Sequence, residues 1–261
     1  MSGAVSGLDG ARIVITAGGG GIGAAMARAF ATAGARVALC DIDGPAAEAV
    51  AAELPGALGQ GTDVTDEAQM EAFWDAALAH LGGVDVLCAN AGTGGPVAPL
   101  AEIGMDDWRA CLAVNLDGAF LACRRAARVM GAQGAGTILL TSSTSGLHGV
   151  PTRSPYVTAK WGVIGLMKTL AMELGPMGVR VNALCPGAVE GPRMDRVVSA
   201  EAAARGMSEA EVRALYAEGT SMRSWVAAGE IADMAVFLAS DGARHVSGQA
   251  IAIDGHTERM T

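Results

Sequence analysis

Short runs of β-branched and aliphatic residues alternate along the chain with longer stretches whose apolar positions recur every three or four residues. These are the spacings of strands and amphipathic helices. RIVITA at 12–17, RVALCD at 36–41, 57–62, 84–89, TILLT at 137–141, 179–184 and 249–253 predict seven strands. Helices are predicted after the first strand (AAMARAFATAG), at 46–54, and from Asp66 onward through Met70, Phe73, Trp74, Leu78 and Leu81. Further helices are predicted at 108–130, 156–174 and 230–240. Strands separated by helices predict a parallel sheet covered on both faces, an α/β fold in a single domain over 1–261. The rhythm stops over about 188–226, where two polar helical patterns intervene. An insertion after a strand's carboxyl end reads as a lid or substrate wall, or equally as a plain surface excursion.

Composition narrows the class. Hydrophobic residues make up 51% of the 261 and charged ones 17%, which suits a densely buried sheet. A formal charge of −9 with no basic run argues against nucleic acid or an anionic membrane as partner. The apolar runs break well before a spanning length, and MSGAVSGLDGAR lacks a basic start followed by an apolar block. A soluble cytoplasmic protein is expected. Five scattered cysteines without CxxC or Cys/His clusters point to reduced buried thiols and give no case for a metal.

Candidate chemistry starts at SPYVTAK, 154–160. In a helix Tyr156 and Lys160 sit one above the other. A free phenol titrates near 10, so serving as a base at neutrality needs a lowering of roughly 3 units, about 4 kcal/mol. One cation about 4 Å away supplies about that at an effective dielectric of roughly 20. The same pair also reads as a surface phenol beside a solvated charge. GGGGIG at 18–23 lies between a strand and a helix, where glycines let the backbone approach a pyrophosphate and the helix start offers free amides. Asp41 closes the second strand 18 residues past Gly23, near the spacing at which an acid accepts from both ribose hydroxyls of a dinucleotide. Its charge would repel a 2′-phosphate and no Lys or Arg stands in the turn, so NAD is preferred over NADP. Asp41 could instead cap the next turn together with Asp43. Asn115 is a poor helix former among apolar neighbours. The helix after Tyr156 is apolar around much of its circumference, which suggests a subunit interface.

Together these residues resemble the short-chain dehydrogenase/reductase family over essentially the whole chain. The matches fall in order at Thr16–Gly23, Asp41, Asp63 with Val64, Asn90-Ala91-Gly92, Asn115, Ser143, Tyr156 with Lys160, Pro186-Gly187, and SGQAIAIDG at 247–255. The resemblance implies a Rossmann-type doubly wound fold and hydride transfer between NAD and a secondary alcohol or ketone. Tyr156 would be the general acid/base, and Lys160 would lower its pKa and hold the nicotinamide ribose. Ser143 would bind the substrate oxygen and Asn115 would hold a water leading from Lys160 to solvent; Ser142 reads as structural. At the cofactor it implies Ala17, Gly18, Gly21, Ile22 and Gly23 near the pyrophosphate, Asp41 at the adenosine ribose, and Asp63 with Val64 at the adenine. Asn90 and Gly92 would lie beside the ribose, and Gly187 with Val189 at the nicotinamide. A homotetramer, or a homodimer, is the implied assembly.

Three departures bear on this. Ala17 replaces the first glycine of the usual pair, Gly191 stands where a Thr often contacts the cofactor, and His256 follows Asp254-Gly255 where Gly is common. His148, Arg153, Arg193 and Arg196 flank the predicted cofactor-side loops and could meet an anionic group on the substrate or stay solvated. Met194 and Trp225 could form an apolar wall. The alternatives are an NADP-dependent carbonyl or 3-oxoacyl-thioester reductase, a noncatalytic dinucleotide-binding module, or an interaction protein using the apolar helix.

Overall fold

The computed structural model describes residues 6–259, so the parts of the terminal readings at 1–5 and 260–261 lie outside the described residues. Seven parallel strands form one sheet in the order β3-β2-β1-β4-β5-β6-β7. They are β1 (Arg12–Thr16), β2 (Arg36–Asp41), β3 (Leu58–Gly61), β4 (Val86–Ala89), β5 (Gly136–Thr141), β6 (Val179–Pro186) and β7 (Ala250–Ile253). The strand order reverses between β1 and β4, which opens a crevice at their carboxyl ends.

Both faces are covered, so the strands read as nearly unbroken apolar runs. Alternation sends Val14, Ala38, Leu87, Ile138 and Val181 to one face, against α3 (Glu67–Leu81), α5 (Gly118–Gln133) and α6 (Ser154–Leu174). It sends Ile13, Ile15, Val37, Leu39 and Leu139 to the other, against α1 (Gly21–Thr32), α2 (Gly44–Ala52) and α9 (Ala228–Ala239). All five cysteines are buried, and burial pushes the thiols of Cys40 and Cys123 up to about 12. Trp161 on α6 remains 51% exposed. Among the described residues no helix is long and apolar enough to cross a membrane.

The stretch 108–130, expected as one helix, is two. Between α4 (Met105–Leu112) and α5 lies a five-residue π-helical turn, Ala113–Asp117, with Asn115 buried within it. β1 stops one residue short of the expected Ala17, because Ala17 takes a φ of 52° that no strand accommodates. β6 continues two residues past the expected Leu184, through Pro186, whose missing N–H costs nothing at a strand end. The 188–226 stretch holds α7 (Pro192–Arg205) and α8 (Glu209–Glu218), the latter opened by a reciprocal cap between Ser208 and Glu211. These two helices share a small core of their own, with Val198, Ala202 and Val212 buried against Met194, Tyr216 and Trp225.

Candidate active site

A cavity of about 560 Å³ opens along the carboxyl ends of the strands, and α6 stands over it. Helical spacing puts Tyr156 and Lys160 one turn apart on the face that meets β5. The Lys160 ammonium is 2% exposed, donates to the Thr141 carbonyl at 2.9 Å, and lies 5.7 Å from the centre of the Tyr156 ring. Burial lowers the pKa of Lys160 while the neighbouring phenol opposes that. For Tyr156, burial favours the neutral phenol. It is outweighed by Lys160, Arg193, the hydrogen bond from Ser143 and Arg153, which together hold the phenol below its ordinary value.

Ser143 lies two residues past β5 with extended backbone, and its Oγ accepts from the Ser145 N–H at 3.1 Å, which fixes the hydroxyl beside Tyr156. Ser142 points the other way and donates to the Lys160 carbonyl at 2.9 Å, tying the strand to α6 in the structural role expected of it.

Asn115 owes its position to the π turn. Its Nδ2 donates to the carbonyls of Cys111 at 2.9 Å and Thr93 at 3.0 Å, while its buried Oδ1 has no partner among the described residues. A Cβ on Gly92 would lie 2.8 Å from that oxygen and 3.2 Å from Lys160 Nζ. Glycine there leaves the acceptor and the ammonium facing one shared space.

The glycine turn divides into two kinds of residue. Ala17, Gly21 and Ile22 line the cavity. No side chain caps α1, whose N-cap is Gly20, so the first amides of the helix are free for an anion. Gly18 and Gly23, also expected at the cofactor, lie outside the cavity lining and allow close packing. A Cβ on Gly18 would meet Leu39 Cβ at 2.7 Å, and one on Gly23 would sit 2.0 Å from the Ala17 carbonyl oxygen. Ala17 pays the left-handed conformation that a glycine adopts freely. Ala17→Gly is therefore expected to raise stability by about 1 kcal/mol, read as a higher urea midpoint. An unchanged midpoint would show the turn to be unstrained.

Asp41 lines the cavity and also performs the turn-capping role that was its alternative reading. Its Oδ2 accepts from Gly19 N–H at 3.0 Å and its Oδ1 from Asp43 N–H at 3.1 Å. Asp43 itself caps α2 by accepting from Ala46 N–H. Asp63 and Val64 line the same wall, with Asp63 Oδ1 bound by Thr65. Asn90 lines the cavity, but its amide is engaged in the frame. It donates to the Thr16 and Ala17 carbonyls and accepts from Thr141. Gly187 and Val189 line the opposite wall, Gly187 because a Cβ would lie 2.8 Å from Asp254 Cβ.

Gly191 is the N-cap of α7 at φ 134°, ψ 176°, a conformation essentially confined to glycine. A Thr there would be strained, so this departure is built into the backbone that opens α7. His256 at φ 63° occupies a left-handed position where glycine would be unstrained. His148 is exposed and lies outside the cavity lining, as does Trp225, while Arg153, Arg193, Arg196 and Met194 line it. Tyr216 also lines it, its ring tilted against Trp225 with centres 5.7 Å apart and its hydroxyl donating to Glu201; no sequence pattern singles it out. Thr16, which opens the Thr16–Gly23 match, accepts at Oγ1 from both the Asn90 and Ala91 amides and so ties the two turns together.

Residues 16–256 match the family model described as Enoyl-(Acyl carrier protein) reductase. D-threitol dehydrogenase of Mycolicibacterium smegmatis is 36% identical, covering 95% of this chain and 93% of its own. Cis-4-hydroxycyclohexanecarboxylate dehydrogenase of Sinomonas cyclohexanicum is 38% identical over 93% and 94%. The solved structure of NAD+-bound xylitol dehydrogenase superposes with a TM-score of 0.91 at 30% identity, covering 95% of this chain and 99% of that one. With a seven-stranded doubly wound sheet and relatives matched along nearly its whole length, the chain belongs to the short-chain dehydrogenase/reductase family of oxidoreductases.

Proposed function

We propose that the protein is an NAD-dependent dehydrogenase interconverting a secondary alcohol and its ketone. The observation that carries this is a phenol held below its ordinary pKa by Lys160, in a cavity that runs on to Asp41. A bound nicotinamide dinucleotide supplies the hydride acceptor or donor. The free amides at the start of α1 suit its pyrophosphate, and the orphaned Asn115 Oδ1 suits a water donor near Lys160. The Asp41 carboxylate suits ribose hydroxyls and disfavours a 2′-phosphate, which supports NAD; the NAD+ in the solved xylitol dehydrogenase is consistent with this.

In the oxidative direction the Tyr156 phenolate accepts the carbinol proton at its Oη while Ser143 orients the substrate oxygen. Lys160 holds the phenolate charge, and in reduction the same phenol returns the proton. The 188–226 segment acts as the lid over the substrate.

Fluorescence titration with NADH and NADPH, followed by a screen of secondary alcohols with NAD, tests the reading. NADH is expected to bind at least about fivefold tighter, since a like charge beside a 2′-phosphate costs about 1 kcal/mol or more even when partly screened. Tighter NADPH binding would overturn the Asp41 assignment.

The pH dependence follows from the sign of the shift. Oxidation needs the deprotonated phenol, so kcat/KM rises with pH through the Tyr156 pKa, which the nearby cations depress. Removing one of them, in Arg193→Gln, raises that pKa and moves the rising limb alkaline. A limb that moves acidic or stays put would refute the electrostatic account.

A further inference from the structure

We propose that Arg153 and Arg193 form a carboxylate-binding subsite beside Tyr156, and that the substrate is accordingly a hydroxy acid or the corresponding oxo acid. This rests on the dehydrogenase reading above and names its substrate class. Arg153 occupies the N-cap position of α6, with its guanidinium carbon 5.0 Å from the Tyr156 ring centre. Arg193 approaches the same ring from the first turn of α7, at 5.9 Å. Two guanidinium groups, from the start of α6 and the start of α7, therefore converge on the ring of Tyr156.

Neither group is paired. Arg153 donates from Nη2 to the Gly94 carbonyl at 3.0 Å, and Arg193 from Nη1 to the Gly92 carbonyl at 3.3 Å. Among the described residues neither makes a salt bridge. Arg153 Nε is shielded from solvent and has no acceptor. Of the acids lining the cavity, Asp41 ends β2 and Asp63 follows β3, both on the side of β1 away from β5, and Glu190 is exposed.

Lys160, Arg153 and Arg193 thus surround one phenol in a protein of net charge −9, with no carboxylate answering the two arginines. Planar guanidinium groups match a carboxylate through paired N–H donors, and such charge-assisted bonds exceed neutral ones in strength. A substrate carboxylate a few carbons from the carbinol would satisfy the free donors and relieve the repulsion among the three cations. The free amides of α1 already provide for the cofactor's pyrophosphate at the other end of the cavity.

The test measures kcat/KM for 2-, 3- and 4-hydroxy acids, each against its primary amide, with the full chain and saturating NAD. Wild type is expected to prefer the acid of at least one pair by about 10- to 100-fold, the worth of a charge-assisted contact. Arg153→Gln and Arg193→Gln are each expected to cut that ratio at least about tenfold, chiefly through KM. Losing a cation also raises the Tyr156 pKa, but it does so for acid and amide alike, so the ratio isolates recognition. Turnover of the amide reports that each variant is folded.

A wild-type ratio near one, or a ratio unchanged in both variants, overturns the subsite. Loss of NADH affinity in Arg193→Gln with the ratio retained assigns that arginine to the cofactor and overturns the pair. If neither acids nor amides are turned over, the screen of secondary alcohols with NAD decides the dehydrogenase reading separately. Calorimetry of cyclohexanecarboxylate against its amide then decides the subsite. Carboxylate binding that Arg153→Gln abolishes supports it, and no preference for the carboxylate overturns it.

Discussion

Tyr156→Phe is expected to lower kcat/KM for alcohol oxidation by about 10³-fold, within the range that positioned proton transfer contributes. The ring stays, so its packing beneath Arg153 and Arg193 survives and only the titrating oxygen is lost. NADH affinity should then change by less than about tenfold, because the α1 amides and Asp41 are untouched. Steady-state kinetics paired with fluorescence titration separates the two effects. Turnover within tenfold of wild type would remove Tyr156 as the proton carrier, leaving water or Ser143 to do its work.

Gly23→Ala should be the most damaging single-methyl change in the cofactor turn. The added carbon would sit 2.0 Å from the Ala17 carbonyl oxygen and 2.9 Å from Asn90 Nδ2, the donor that binds that same carbonyl. Backbone cannot swing aside as a flexible side chain can, so α1 must move off β1 or the Asn90 bond must break. We expect a loss of about 3 kcal/mol, at the upper end for overpacking. For a chain of this size that lowers Tm by about 10 °C. Calorimetry of the variant without cofactor measures it; a Tm within about 2 °C of wild type would mean the turn yields more readily than its contacts imply.

The seven strands are legible in the sequence because burial on both faces leaves them as apolar runs between glycine turns. Their ends are less so. RIVITA reads as one strand to Ala17, yet the turn dictates the φ of that residue, and nothing in an alanine announces it. The π turn is hidden for a similar reason: one extra residue changes the phase of a helix without changing its composition, and only the misplaced Asn115 hints at it. In the site, helical spacing alone pairs Tyr156 with Lys160. The arrangement of Arg153 and Arg193 about Tyr156 depends on how α7 lies over α6, which no local pattern encodes. Glycine counting likewise cannot separate clearance for a phosphate from clearance for a carbonyl, which is why Gly18 and Gly23 belong with packing.

The five buried thiols have a bearing on how long the molecule survives. Oxidants and electrophiles attack the thiolate, and a thiol titrating near 12, as Cys40 and Cys123 do, ionises in only about one molecule in 10⁵ at pH 7. Cys185, at about 11, gains little more. While the protein is folded these thiols are slow to react, so their oxidation depends on how often the fold opens, whereas exposed methionines such as Met172 and Met222 stay open to oxidants.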